Sequence, residues 1–573
     1  MIDRPSAPPK SAFGDIALIA LIWCAFMASA VLLRPLLPID ETRYVTVAWE
    51  MWTNHNFLVP HLNGELYSHK PPLLFWLMKL GWLVFGVSEA WARLVAPLFA
   101  LASLWLTAKL ARELWPQEQP SILANRAVLA PLMMACGLYW TVFSTLIMFD
   151  MMLTAAAILA VLGYVKAWKG FVAGRGFWTG LLIAALGLGL GGMAKGPAIL
   201  VHTLPLALAA PLWGPALTHG RGQTTWGKWY WGVLASALLG TALVLGWAIP
   251  AAIVGGAEYR DAIFIKQSTE RMVESFAHRR PFYWFVWVLP LMLLPWTVWP
   301  RLWRSIGARK AWREGRGLRP TLAQGGVRVV LVWFGASFVI FSAISGKQPH
   351  YLLPVFPALA LFAAHMLSQR ESSSAAPAPA PQNGFGHRLP VLALGGVALM
   401  LLILGLAKEN IEPLLKSPLP DWAGAAQTLW LLPAVLLAGA AAMRQAQGPK
   451  AEARLIAVTV VGLMVFLHLA AAPAFLLAYD LGPSAQQIKS FQDTNRPVAY
   501  IGKYHGEFQF LGRLESPITA LDTMNEGRAW AKANPTGVIV ATMRERDIPA
   551  TSKPLSIRPY RGRVLVMWDA PGF

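Results

Sequence analysis

Apolar stretches of about 18 or more residues recur along this chain from Phe13 to Tyr479. Runs of that length read as helices that cross a bilayer, because they are too long and too continuously apolar for an amphipathic surface helix. The charge content points the same way. Charged residues make up 14% of the 573 positions, against about 25% in soluble domains. The first run, around Ala12 to Leu33, is too long for a signal-peptide core and has no small-residue cleavage pattern, so a retained helix is expected. The 27 Trp suit anchors at the headgroup level. Both cysteines, Cys24 and Cys136, fall in predicted spans, which excludes a disulfide framework and a cysteine metal site.

A net charge of +20 would suggest nucleic acid in a soluble protein. In a membrane chain the basic residues instead set orientation and attract anionic lipid, so no nucleic-acid partner is expected. The segment 71–87 is apolar but short and contains Lys79. If it crossed, the strongly basic loop 301–328 would face outward, against the positive-inside rule. Reading 71–87 as a helix at the outer interface turns every basic loop inward: 109–126, 166–175, 221–228, 301–328, 370–388 and 444–454. The expectation is about 13 spans, N-terminus in and C-terminus out, within residues 1–478. They lie near 12–34, 91–111, 126–147, 151–168, 177–194, 197–213, 230–252, 282–300, 327–346, 351–368, 389–407, 426–443 and 455–478. A first outer loop covers 35–90, and 371–384 has the composition of a disordered linker. After Tyr479 the apolar runs shorten and alternate, at 498–502, 537–542 and 563–568, so residues 479–573 read as a small α/β domain outside the membrane.

In this topology ionisable residues collect at the outer ends of the spans, where their cost leans toward function. Arg43, Lys70, Lys195, Arg271 and Lys347 come from separate parts of the chain to one face, a set able to clamp a lipid-borne phosphate. Lys70 and Lys195 stand in proline turns, Lys-Pro-Pro and Ala-Lys-Gly-Pro, which fix them in place. Lys79, Arg279 and Arg280 read instead as snorkelling to headgroups. Asp40 and Glu41 follow a span and Pro38, so at least one faces the site, and Asp150 sits at an outer span end. A sugar transfer that expels a phosphate needs a base for the acceptor and positive charge for the leaving group, and Asp40 fits the first role. A loop-stabilising pair with Arg43 is its plainer alternative. His69 and His278 are candidate ligands for a divalent cation such as zinc, though no cofactor is required. His55, His61 and His350 read as interfacial side chains.

Together these residues carry a resemblance. Asp40-Glu41-x-Arg43-Tyr44, then 59–64 (VPHLNG), then Tyr67-x-x-Lys70-Pro71-Pro72-Leu73 resembles the first outer loop of GT-C bacterial transferases related to protein O-mannosyltransferases, and within them the lipid A aminoarabinose transferases. Phe85-Gly86 with Arg93, 194–197 (AKGP), 281–284 (PFYW) with Pro295-Trp296, and Ser345-x-Lys347-x-x-x-Tyr351-x-Leu353-Pro354 are similar as well. The similarity runs in register from Asp40 to about Leu361. It implies a GT-C helical membrane fold with juxtamembrane helices in the first loop and a C-terminal periplasmic domain. It implies a C55-type polyprenyl-phosphate donor, catalysis at Asp40 and Asp150 (with Glu41 beside them), and Arg43, Lys70, Lys195, Arg271 and Tyr351 on the carrier phosphate. Tyr44 and Tyr67 would line the donor and acceptor site. His69 departs from the acidic residue common before the Lys-Pro-Pro turn, which alters any family-like metal set.

The reading that follows is a bacterial inner-membrane transferase moving 4-amino-4-deoxy-L-arabinose, or a related sugar, from undecaprenyl phosphate to lipid A. The alternatives are the same chemistry on proteins or on core or O-antigen sugars, and a lipid-linked sugar transporter. Against the transporter, no inverted pair of Gly/Pro-broken spans stands out, and the polar residues cluster at one face rather than the midplane.

Overall fold

The computed structural model describes residues 10–116, 120–220, 225–266, 279–306, 319–372, 386–411 and 421–573. The fold is helical to Tyr479, followed by a mixed sheet. Among the described residues nine helices are long and apolar enough to cross a membrane, or eleven if each of two bent pairs is one span. The bent pairs are Asn125–Ala135 with Leu138–Ser144 and Ala198–Leu208 with Ala210–Leu217. The chain is a multi-pass membrane protein.

Two expected spans are broken instead. Segment 282–300 forms the helix Trp284–Met292 and then a 3-10 turn, Trp296–Val298. Pro290 and Pro295 are the cause, since each lacks an N–H and clashes with the preceding turn. Segment 426–443 begins as a 3-10 turn, Thr428–Leu431, and becomes regular only at Leu432–Met443. The expected linker at 371–384 lies almost wholly outside the described residues.

The helices Phe149–Val172 and Phe177–Lys195 are the most tightly packed pair near the site. Glycines permit that approach. A Cβ on Gly163 would come within 2.3 Å of the Ala184 nitrogen, and one on Gly180 within 2.2 Å of the Ala167 nitrogen. Small residues of this kind let helix backbones meet in a membrane. The two helices run antiparallel, so the start of the first, with Asp150, meets the end of the second, with Lys195. Far along the first helix, Lys166 and Lys169 pair with Glu113 at 2.8 and 2.9 Å. Charge is therefore neutralised separately at the two ends of the bundle.

The first loop folds as a platform beside the Asp150 end. The helix Asp40–Thr53 is largely buried. After it come β1 (His61–Leu62) and β2 (Glu65–Leu66), antiparallel and joined by Asn63-Gly64. Both turn residues have positive φ, +58° and +81°, as this hairpin turn requires. Glu50, buried, accepts from the Gly64 N–H at 3.0 Å and also from that of Asn63, holding the turn to the helix. Next, Leu73–Phe85 is a short apolar helix, not among the span-length ones. It buries Leu74, Phe75, Met78 and Trp82 and exposes Leu80, Leu83, Val84 and Phe85, as a helix lying in an interface would. Lys79 does not snorkel from it. It is 2% exposed, and its ammonium donates to the carbonyls of Met51 and Asn56 (2.7 Å for the second) under the Phe57 ring. The helix therefore uses Lys79 as an inward pin, because two carbonyls and a ring face are closer than any headgroup.

The C-terminal sheet contains β3 (Val498–Ile501), β4 (Thr519–Leu521), β5 (Val538–Met543), β6 (Pro554–Tyr560) and β7 (Arg563–Asp569), in the order β4-β3-β5-β7-β6. β3 runs parallel to β4 and β5, and β7 antiparallel to β5 and β6. The domain docks on the first loop. Asn63 donates its amide to the Ile518 carbonyl and accepts from the Ile518 N–H, both at 2.8 Å. Trp49 Nε1 donates to the Leu514 carbonyl at 2.8 Å. Phe510 stacks on Trp82 at 5.5 Å and meets Trp49 edge-on at 6.3 Å. Truncating Phe510 to Ala removes the centre of this contact and costs about 3–5 kcal/mol. The expected result is a lower unfolding temperature and faster proteolysis of residues beyond Tyr479. An unchanged digestion pattern would mean that the polar contacts alone hold the domain.

Candidate active site

Asp150 lies in the first turn of its helix and Lys195 is the last residue of the next one, which Gly196 (φ +63°) and Pro197 then stop. A carboxylate at a helix start and an ammonium at a helix end both oppose the local backbone dipole. Lys195 Nζ is 2.6 Å from Asp150 Oδ1, and Asp150 is 1% exposed. Around this pair the chain gathers groups from three other segments. Lys70 Nζ lies 5.8 Å from the centre of the Phe149 ring and within electrostatic reach of Asp150. Lys195 lies 5.7 Å from the Tyr351 ring. Tyr44 meets Phe149 edge-on at 4.9 Å. Asp40, half exposed, pairs with Arg43, whose guanidinium sits 5.6 Å from the Tyr44 ring.

Tyr44 and Tyr67 are buried, 5% and 3% exposed. Burial pushes both phenols up from their ordinary pKa, and the charge of Asp40 adds to it. They are therefore neutral hydroxyl groups at any physiological pH, able to donate to a sugar or phosphate oxygen.

Asp40, Arg43, Tyr44, Tyr67, Lys70, Asp150, Lys195 and Tyr351 thus share one region. Other expectations are corrected. Glu41 is not in the cluster. Its carboxylate accepts from Arg34 Nη1 at 2.6 Å and from the Leu37 and Ile147 N–H groups at 2.8 and 2.9 Å. With three donor groups bound to it and 3% side-chain exposure, it is closed off from a substrate. Lys347 is also engaged elsewhere: it donates to the carbonyls of Arg280, at 3.0 Å, and Ile344, tying 279–280 to the end of a span. Arg271 and His278 lie outside the described residues. His69 meets the Tyr67 ring edge-on at 5.4 Å. Among the described residues no group of three or more His, Cys, Asp and Glu is arranged to hold a metal ion.

One member escaped sequence reasoning. His350 lies within reach of the charges of Asp150, Lys195, Lys70 and Asp40, and packs on Phe143 and Tyr351. Its place one residue before Tyr351, in the segment already singled out, was the available signal.

The arrangement can hold an anion between Lys70, Lys195 and Arg43, with a carboxylate at its open edge and neutral hydroxyls beside it. A helical bundle with its acid and cations borne on the first loop and on span ends is the arrangement that the resemblance in sequence implies. The dolichyl-phosphate-mannose-protein mannosyltransferase family model matches residues 69–247. The undecaprenyl phosphate-alpha-4-amino-4-deoxy-L-arabinose arabinosyl transferase of Edwardsiella ictaluri is 30% identical over 372 residues, 64% of this chain and 61% of that relative's length. The match therefore spans less than two thirds of that relative. The crystal structure of ArnT from Cupriavidus metallidurans superimposes with a TM-score of 0.68 at 19% identity, covering 97% of this chain and 98% of that one. Its form bound to undecaprenyl phosphate gives 0.67 at 18% identity, covering 98% of each chain. The chain is a GT-C-fold protein close to the aminoarabinose transferases.

Proposed function

We propose that this protein transfers 4-amino-4-deoxy-L-arabinose from undecaprenyl phosphate to lipid A at the periplasmic face of the bacterial inner membrane. The observation that carries this reading is the Asp150–Lys195 pair with Lys70 and Arg43 beside it, a fixed cationic site where the spans end. The relative from Edwardsiella ictaluri supports the sugar, and the ArnT structure with undecaprenyl phosphate supports the donor.

In this reaction the bond from the sugar's anomeric carbon to the carrier phosphate breaks, and the acceptor oxygen forms its replacement. Lys70, Lys195 and Arg43 stabilise the charge that the departing polyprenyl phosphate gains, and they act best in a site already organised before the reaction. Asp150 holds Lys195 in place. Asp40, at the open edge, orients the acceptor or takes its proton. If the acceptor is a lipid A phosphate it is already ionised, and Asp40 then serves orientation, including that of the sugar's amino group. His69 and the 267–278 segment remain the place to seek a divalent cation, and none of these steps depends on one.

The test is mass spectrometry of lipid A from cells with and without the protein. The expected result is a population heavier by one aminopentose residue only when the protein is present. Such a change adds a cation to an anionic lipid and lowers its attraction for cationic peptides. No mass difference under inducing conditions would remove lipid A as the acceptor. The match to protein mannosyltransferases favours protein glycosylation as the second reading, and glycoproteomics of exported proteins distinguishes it.

A further inference from the structure

One turn of the C-terminal domain reaches the cluster and has no part in the chemistry above. It lies between β3 and the helix Gln509–Gly512. Gly506 stands at φ +77°, and its carbonyl accepts from Thr46 Oγ1 at 2.7 Å. A Cβ on Gly506 would come within 2.5 Å of Leu62 and 3.0 Å of Thr46, so the approach is close. Thr46 lies one helical turn beyond Arg43 on the helix that starts at Asp40. The contact therefore sets residues 503–507 beside the Asp40–Arg43 pair. Within the turn, Glu507 is buried and directed inward, accepting from the His505 N–H at 2.8 Å.

The groups this turn offers outward are basic. His505 is within electrostatic reach of Arg43, Lys503, Asp40 and Arg561. Lys503 and Arg561 are both exposed. Arg561 comes from a separate segment, the tip of the β6–β7 hairpin, whose N–H is fixed to the Ala478 carbonyl at 3.0 Å, at the end of the last span. Two segments of the domain thus bring their cations to one edge, each held by a contact to the membrane part. A merely solvated basic face would need neither anchor, nor would it be coupled to Asp40 and Arg43. Burial lowers the pKa of His505, and Arg43 and Lys503 lower it further, so its ring is a neutral hydrogen-bond partner between two cations.

We infer that Lys503, His505 and Arg561 form a second anion site, which binds a phosphate monoester on the lipid acceptor. This deepens the transfer reaction proposed above and rests on it. Donor and acceptor headgroups are both anionic, and bringing them together requires separate countercharges. Lys70 and Lys195 serve the donor, the domain edge serves the acceptor, and Arg43 lies between them. Arg561 supplies forked donors for phosphate oxygens, and Lys503 a point charge.

The test uses the full chain in vesicles, with saturating donor and varied concentrations of phosphorylated lipid A. Lys503→Ala combined with Arg561→Ala raises the KM for phosphorylated lipid A by about tenfold, while the donor KM moves by less than about twofold. Lys503→Arg, which keeps the charge, holds the acceptor KM near wild type. Equal melting temperatures of the variants and wild type establish that folding is not the cause. An unchanged acceptor KM in the double variant, in an enzyme that does transfer to lipid A, overturns this inference alone. A wild type that glycosylates proteins and no phosphorylated lipid overturns the reaction reading, and this inference with it.

Discussion

Lys70→Ala lowers turnover by roughly 100- to 1000-fold and leaves the unfolding temperature near that of wild type. The size follows from what Lys70 does. It is a point charge fixed next to where negative charge develops, and removing one such group from an organised site has effects of that order. Its fixation is visible. The Lys-Pro-Pro turn leads straight into the helix Leu73–Phe85, and the ammonium lies over the Phe149 ring, one residue from Asp150. Folding is spared because the platform is held by other groups: Glu50 on the hairpin turn, Lys79 on two carbonyls, and Phe510 against Trp82. The measurement is single-turnover transfer by purified enzyme with a panel of polyprenyl-phosphate sugars, beside thermal unfolding in the same detergent. Asp40→Ala is expected to lose most turnover as well, and its pH–rate profile separates the two roles of Asp40. A general base leaves an acidic limb in wild type that the variant lacks, whereas an orienting carboxylate lowers the rate at every pH. Full activity in Lys70→Ala would mean that the donor phosphate binds elsewhere.

The contrast between what was legible and what was not follows from how signals reach a sequence. Span-length apolar runs announce themselves, and the cations at their ends stand out because charge there is rare. Lys70, Lys195, Asp40 and Asp150 were found in that way, and the structure brings them together. Lys79 and Lys347 carried the same signal and have other work. Each is turned onto backbone carbonyls, and a carbonyl leaves no mark in the residue string. The docking of the C-terminal domain was silent for the same reason. Thr46 and Asn63 meet main-chain groups of Gly506 and Ile518 more than 450 positions away. The broken segments 282–300 and 426–443 kept span-like composition, and the prolines in the first were the clue that length outweighed.

Glu41→Gln is expected to lower stability and turnover together. Arg34 and Glu41 form a pair with side chains 4% and 3% exposed, so neither can be rescued by water. Removing one charge of a buried pair costs about 3–5 kcal/mol, because the other is left uncompensated. The same carboxylate accepts from the Ile147 N–H, in the segment that opens the Asp150 helix. Glu41 therefore ties the element bearing Asp40 to the element bearing Asp150, and is a positioning residue. Turnover is expected to fall along with the unfolding temperature, both measured on purified protein. A second change separates this from chemistry at Glu41 itself. In Arg34→Met with Glu41→Gln the stranded cation is gone, and the single amide oxygen of Gln keeps one of the two N–H bonds that the carboxylate divides between its oxygens, from Leu37 or from Ile147. Because removing both charges leaves no uncompensated ion in the interior, the double variant should recover part of the stability and, with it, part of the lost turnover. A Glu41→Gln protein as stable as wild type yet inactive would place this carboxylate in the reaction after all.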